Sequence, residues 1–267
     1  MSKLSILLLQ LDIVFGDPEA NRQNVRKWFE KAAPQANELV ILPELWDTGY
    51  DLTRLPVIAD HEGQAAQAFL SELAQQYQVF ISGGSIARQT DHGVFNTTYI
   101  VAPDGNILTS YDKVHLFRLM AEEKFLQAGD QLSQAAIGEF LAAPLICYDL
   151  RFPEWFRKSA GQGTNLFLLS AQWPTPRIAH WEKLLQARAI ENQCFVAAVN
   201  RVGKDPNNQF GGHSLVVDPL GEVLLQLDDT ETFGRIAIDS SAIAQVRGII
   251  PVFEDRRVDL YTEGGKQ

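Results

Sequence analysis

Cysteine is nearly absent: the 267-residue chain has two, Cys147 and Cys194. Two in so long a chain are not a disulfide framework, which points to a reducing compartment. The fold must then rest on burial, and a chain of this length buries most of its apolar surface without covalent staples. Long apolar runs are missing as well. The opening "MSKLSILLLQLDIVFG" is broken by Gln10 and Asp12 and followed by no small-residue cleavage site. Nothing approaches the roughly 18 continuous apolar residues of a membrane span, so a cytoplasmic protein without membrane contact is expected. Positive charge is scarce: 23 Lys and Arg against 33 Asp and Glu leave a formal charge of -10. Without a Lys/Arg cluster, that balance works against nucleic acid and anionic lipid as partners.

No stretch rich in Gly, Ser or Pro divides the chain. One domain over residues 1–267 is expected, although length alone would allow two. The five histidines, His61, His92, His115, His180 and His213, never form a two-His spacing beside a carboxylate on one helix. No metal site is indicated. "ISGGS" (81–85) is too short for a phosphate loop or dinucleotide fingerprint, so no cofactor is expected, and Gly83 and Gly84 read as close-packed backbone.

What is present is alternation. "LSILLLQLDI" (4–13) reads as a strand, and "DPEANRQNVRKWFEKAA" (17–33) as an amphipathic helix capped by Asp17 with Pro18 first. "ELVILPE" (38–44) is a strand, 63–77 a helix and "QVFISGGSI" (78–86) a strand. "NTTYIVAPDGNILTSYDK" (96–113) is a hairpin by its turn residues, and "HSLVVDPLGEVLLQL" (213–227) repeats it around Pro219 and Gly221. Between the hairpins run a strand at 144–148, a helix from Pro153, strand 165–171, a helix at about 178–192 and strand 194–200. Two similar halves of this kind bury their sheets face to face with helices outside, an α/β four-layer αββα sandwich. A single doubly wound sheet is the alternative and explains the hairpins less well.

Three strand ends carry reactive groups: Glu44 after 38–42, Lys113 after the first hairpin and Cys147 after 144–146. Ligands gather outside the carboxyl ends of strands in open α/β sheets. A thiol needs a base, and an acyl intermediate needs a positive or hydrogen-bonding partner for its oxyanion, so the three types suit one another. Each has a plain alternative: Cys147 as core filler, Glu44 opening a loop, Lys113 as a solvated hairpin end. On helix 178–192, Trp181, Leu184 and Leu185 form one face that Arg188, Glu191 and Asn192 continue. Charges on an inward face need partners, and Asp149 and Arg151 are candidates; the alternative is a helix end emerging into water.

"ILPELWDTGY" (41–50), "YDKVHLF" (111–117), "LICYDLRFPEW" (145–155) and "HWEKLLQARAIENQCFVAAVNRVG" (180–203) resemble, in order and spacing, the signature blocks of the nitrilase, or carbon-nitrogen hydrolase, superfamily. Four ordered blocks over about residues 4–240 are more specific than any single motif. The resemblance implies a two-sheet αββα sandwich with Cys147 as nucleophile, Glu44 as general base and acid, and Lys113 with the Tyr148 N–H as oxyanion partners. It places a second glutamate at Glu122, with Glu123 one step away. It also implies a homodimer or larger homo-oligomer, paired through the helix after "FPEW" and the helix ending near Asn192.

Within the superfamily, "PELWDTGY" and "AQWPTPRIAHW" resemble omega-amidases, which remove the terminal amide of 2-oxoglutaramate or 2-oxosuccinamate. The implied partner is a small amide. Arg177 is the candidate for its carboxylate, since a guanidinium pairs bidentately, and a solvated surface arginine is the alternative. Trp46, Phe117 and Trp173 are candidate apolar walls. An N-carbamoyl amidohydrolase or a broad aliphatic amidase would keep the same triad, and a catalytically silent interaction module would not need it.

Overall fold

The computed structural model describes residues 3–261. Its plan is legible in the first strand, β1 (Lys3–Gln10), where Ile6 and Leu8 point to one side and Leu7 and Leu9 to the other. Side chains alternate along a strand, so apolar residues at both parities mean that both faces are covered. After β1 come β2 (Leu39–Ile41), β3 (Asp60–His61), β4 (Phe80–Ser82), β5 (Ile86–Thr90), β6 (Gly93–Val101) and β7 (Ile107–Asp112). The chain then builds a second sheet from β8 (Ala135–Ile137), β9 (Phe140–Ile146), β10 (Leu166–Ala171), β11 (Phe195–Asn200), β12 (Leu215–Val217) and β13 (Val223–Gln226). It returns to the first with β14 (Thr232–Asp239). The strand order is β14-β1-β2-β4-β6-β5-β3 in the first sheet, with β7 on β6, and β13-β12-β11-β10-β9-β8 in the second. Both sheets mix parallel and antiparallel pairs.

The sheets pack face to face. Ile6, Leu8, Leu39 and Ile41 meet Leu166, Leu168, Phe195 and Val199 in a shared apolar layer. Helices α1 (Pro18–Ala32), α2 (Leu55–Ile58) and α3 (Gln64–Tyr77) follow strands of the first sheet, and α4 (Pro153–Gly161) and α5 (Ile178–Asn192) follow strands of the second. Phe29 and Leu70 close the outer face of the first sheet, and Phe156, Trp181 and Leu185 that of the second. The result is the four-layer αββα sandwich, to which α6 (Ser241–Ile249) is added. Asp17 caps α1, its carboxylate accepting from Ala20 N–H at 3.0 Å ahead of Pro18. No helix among the described residues is long and apolar enough to cross a membrane.

The single strand expected over 78–86 is two, β4 and β5, on opposite flanks of β6. Gly84 makes the break: it has φ +63°, and a Cβ there would sit 2.1 Å from the Pro43 carbonyl oxygen. Only glycine combines that conformation with that approach. Strands β3, β8 and β14 and helices α2 and α6 lie outside the elements read from the sequence. The strand expected at 144–148 begins at Phe140 and stops before Cys147.

Candidate active site

The carboxyl ends of β2 and β7 in one sheet and β9 and β10 in the other open onto the same place. Glu44 follows β2 across Leu42 and Pro43. It is held from the opposite sheet: Gln172, just past β10, donates its backbone N–H to Glu44 Oε2 at 2.8 Å and its side-chain amide to the Glu44 carbonyl at 2.7 Å. Gln172 is itself fixed by the buried Arg201 guanidinium, which donates to its Oε1 at 2.9 Å and to Asp12 at 2.7 Å.

Lys113 follows β7, and its ammonium donates to Glu44 Oε1 at 2.8 Å and to Glu122 Oε1 at 2.7 Å, all three side chains fully buried. Glu122 stands on a short 3-10 turn and also accepts the Phe117 backbone N–H at 2.8 Å. Glu123, next to it, is exposed. Cys147 opens the 3-10 turn Cys147–Arg151 directly after β9 with φ +44°, a left-handed conformation that non-glycine residues rarely adopt. Its buried thiol feels the charges of Glu44, Lys113 and Glu122.

Two carboxylates, one ammonium and one thiol thus share a dry site. Burial, reinforced by the Glu44 charge, pushes the Cys147 thiol well above its ordinary pKa. The resting Cys147 thiol is therefore neutral. Burial first, then the Glu44 charge against the opposing pull of Lys113, raises Glu122. Burial alone would lower Lys113, but the charges of Glu122 and Glu44 outweigh it and hold the ammonium protonated.

Tyr50 and Asn96 complete the cluster. Tyr50 Oη lies 2.9 Å from Glu44 and 2.6 Å from Glu122, and Asn96 Nδ2 donates to Glu44 at 2.9 Å. Neither they nor Gln172 were singled out above. Tyr50 ends the block that holds Glu44, Asn96 stands beside Lys113 across the hairpin, and Gln172 is a polar residue at a strand's carboxyl end. These are the only signals that could have found them.

A cavity leads from Cys147 outward between Phe117, Tyr148, Gln172, Trp173, Arg151 and Arg177. Phe117 and Trp173 form walls, and the guanidiniums of Arg177 and Arg151 lie over their rings at 5.7 and 4.8 Å. Trp46 does not join them. It packs on Phe69 of α3 with ring centroids 5.6 Å apart and donates to the Gly83 carbonyl, on the outer face of the first sheet. The positive φ of Leu45 (+40°) lies between Glu44 and Trp46.

The Arg188 network is smaller than expected. Arg188 donates to the Leu150 carbonyl and to Glu191, while Asn192 donates to the Arg188 carbonyl. Asp149 and Arg151 belong elsewhere: Asp149 to His115, Tyr111 and Ile146, Arg151 to the cavity.

Comparison with known proteins gives the family. The carbon-nitrogen hydrolase family model matches residues 6–248. A 2-oxoglutaramate amidase of Bacillus subtilis is 47% identical over 259 residues, 97% of this chain and 100% of that protein. An omega-amidase of Mus musculus is 33% identical over 275 residues, covering 99% and 98%. A crystal structure of a CN-hydrolase superfamily protein from Xanthomonas campestris, with an arsenic adduct in its active site, matches with a TM-score of 0.90 at 35% identity, covering 96% of this chain and 98% of that one. The two-sheet fold is that of an enzyme that hydrolyses carbon-nitrogen bonds. The chain belongs to the carbon-nitrogen hydrolase family.

Proposed function

We propose that this protein is a thiol-dependent omega-amidase, a single catalytic domain that hydrolyses the terminal amide of a small 2-oxo acid such as 2-oxoglutaramate. The observation that carries the chemistry is the buried Lys113 ammonium bridging Glu44 and Glu122 at 2.8 and 2.7 Å, their charges felt at Cys147, which lines a cavity together with Arg177. The substrate class is supported by the 2-oxoglutaramate amidase and omega-amidase named above, similar to this chain over nearly its whole length.

In this reading Glu44 takes the Cys147 proton as sulfur adds to the amide carbon. The oxyanion is met by the Lys113 ammonium and the Tyr148 N–H. The intermediate collapses as Glu44 returns the proton to nitrogen and ammonia leaves, which makes a thioester. Glu44 then deprotonates a water that Glu122 helps to place, the water adds to the thioester, and sulfur leaves and recovers its proton. Phe117 and Trp173 enclose the carbon chain, and Arg177 binds the carboxylate. Working as a homodimer or larger homo-oligomer through α4 and α5, in the cytoplasm, belongs to the same proposal.

Ammonia release tests it, measured over 2-oxoglutaramate, neutral amides, N-carbamoyl amino acids and nitriles. Cys147→Ala should abolish turnover, while Cys194→Ala should not. Turnover surviving in Cys147→Ala removes the mechanism, and a preference for neutral amides removes the substrate class.

A further inference from the structure

Among the buried carboxylates that the proposed mechanism does not use, Asp149 lies two residues from Cys147. Asp149 is fully buried and has no Lys or Arg partner among the described residues. Instead it accepts four hydrogen bonds. Oδ1 takes the His115 backbone N–H at 3.1 Å and faces His115 Nδ1 at 2.7 Å. Oδ2 takes the Tyr111 hydroxyl at 2.7 Å and the Ile146 backbone N–H at 3.0 Å. A carboxylate has about four lone-pair sites, so its accepting capacity is filled.

The sequence positions of these donors matter more than their number. Tyr111 and His115 stand two residues before and two residues after Lys113, on the first sheet's side of the site. Ile146 is the residue before Cys147, on the second sheet's side. One carboxylate therefore ties both flanks of the ammonium to the turn that carries the sulfur. Two further contacts brace the clamp: the Trp155 indole donates to the Tyr111 oxygen at 3.2 Å, and the His115 ring stacks on Phe152 with centroids 3.7 Å apart and planes 10° apart.

Building on the roles proposed for Lys113 and Cys147, we propose that Asp149 and His115 are positioning residues that set the distance between the oxyanion-binding ammonium and the nucleophile across the two sheets. The neutral or charged ring serves equally, provided that Nδ1 carries the hydrogen that faces the carboxylate. Neither residue touches substrate. Their effect is on how well the oxyanion meets Lys113, and so on kcat rather than on binding.

Three variants assayed by ammonia release from a small amide test this: His115→Ala, His115→Asn and Asp149→Asn. Asparagine keeps an N–H donor close to where the Nδ1 hydrogen stood, whereas alanine keeps none. His115→Ala should lower kcat about ten- to a hundredfold with KM within about threefold, the scale at which a small misplacement of a reacting group acts. His115→Asn should recover most of the loss, and Asp149→Asn should be at least as slow as His115→Ala. Wild-type kcat in His115→Ala, or His115→Asn no faster than His115→Ala, overturns the clamp. So does a loss of kcat that merely tracks a fall in folded protein by circular dichroism. If Asp149→Asn does not fold, the two His115 variants decide. Cys147→Ala in the same assay separates the two layers: if it stays active the proposed mechanism fails, and if it is dead while His115→Ala is fully active only the clamp fails.

Discussion

The phenol oxygen of Tyr50 lies 2.6 Å from a carboxylate oxygen of Glu122. The same phenol is 2.9 Å from Glu44, yet it has a single hydrogen to give. The two carboxylates compete for that hydrogen, and Glu122 holds the shorter contact. Burial and the Glu122 charge keep Tyr50 well above its ordinary pKa, so it stays a phenol. Tyr50 thus links the two carboxylates through its one hydroxyl hydrogen.

Tyr50→Phe should therefore lower kcat by roughly ten- to a hundredfold, the effect of about 1.5–3 kcal/mol for a hydrogen bond to a charged group. KM should change little, because Tyr50 sits behind the carboxylates and does not line the cavity. Steady-state kinetics on an omega-amide checks it; an unchanged kcat takes Tyr50 out of the proton path.

Arg177→Ala should lower kcat/KM for 2-oxoglutaramate about ten- to a hundredfold, mainly through KM, and leave a neutral amide of the same length nearly unaffected. In a protein of net charge -10, an anionic substrate is drawn in only by a local cation. Arg151, at the same cavity, supplies the comparison: equal losses on both substrates for Arg177→Ala would make Arg177 a wall and leave the carboxylate to Arg151.

Glu44→Gln should abolish turnover and yet shift the alkylation of Cys147 by iodoacetamide to lower pH. The Glu44 charge is one of the causes that raise the thiol pKa, so its removal lowers it. Alkylation followed by mass spectrometry against pH gives the inflection. A midpoint that stays put or moves upward contradicts this electrostatic account.

Asp47 is buried in the loop after Glu44, and burial pushes its carboxyl from 3.8 up to about 7. In the unfolded chain it ionises near 3.8; in the folded chain it keeps its proton until about 7. Stability from this group is full below the lower value, falls as pH rises between the two, and is lost above the upper one. Asp47→Asn, a neutral mimic of the protonated acid, should raise Tm relative to the parent at pH 8 and not at pH 4, on the order of 2–4 kcal/mol at the high-pH end. Differential scanning calorimetry at the two pH values checks it, and a constant difference in Tm rules it out.

The repeating strands, the Asp17 cap and the Pro-Asp-Gly-Asn hairpin were legible in the sequence because period, capping and turn chemistry act within a few residues. So were the strand-end positions of Glu44, Lys113 and Cys147, since an apolar run that ends in a polar residue needs no partner to be seen. The two-sheet architecture followed from the repeated halves. Tertiary structure alone decided the rest. Glu122 and Glu123 are neighbours with identical side chains, and only packing buries the first and exposes the second. Trp46 reads as a pocket wall until Gly84 lets β4 and β5 part and the chain turns it outward onto Phe69. Gln172 meets Glu44 across 128 residues of chain, and Asp149 finds Tyr111 and His115 on the first sheet's side of the site. Contacts of that kind depend on which strand ends the fold makes neighbours, and no local pattern records them.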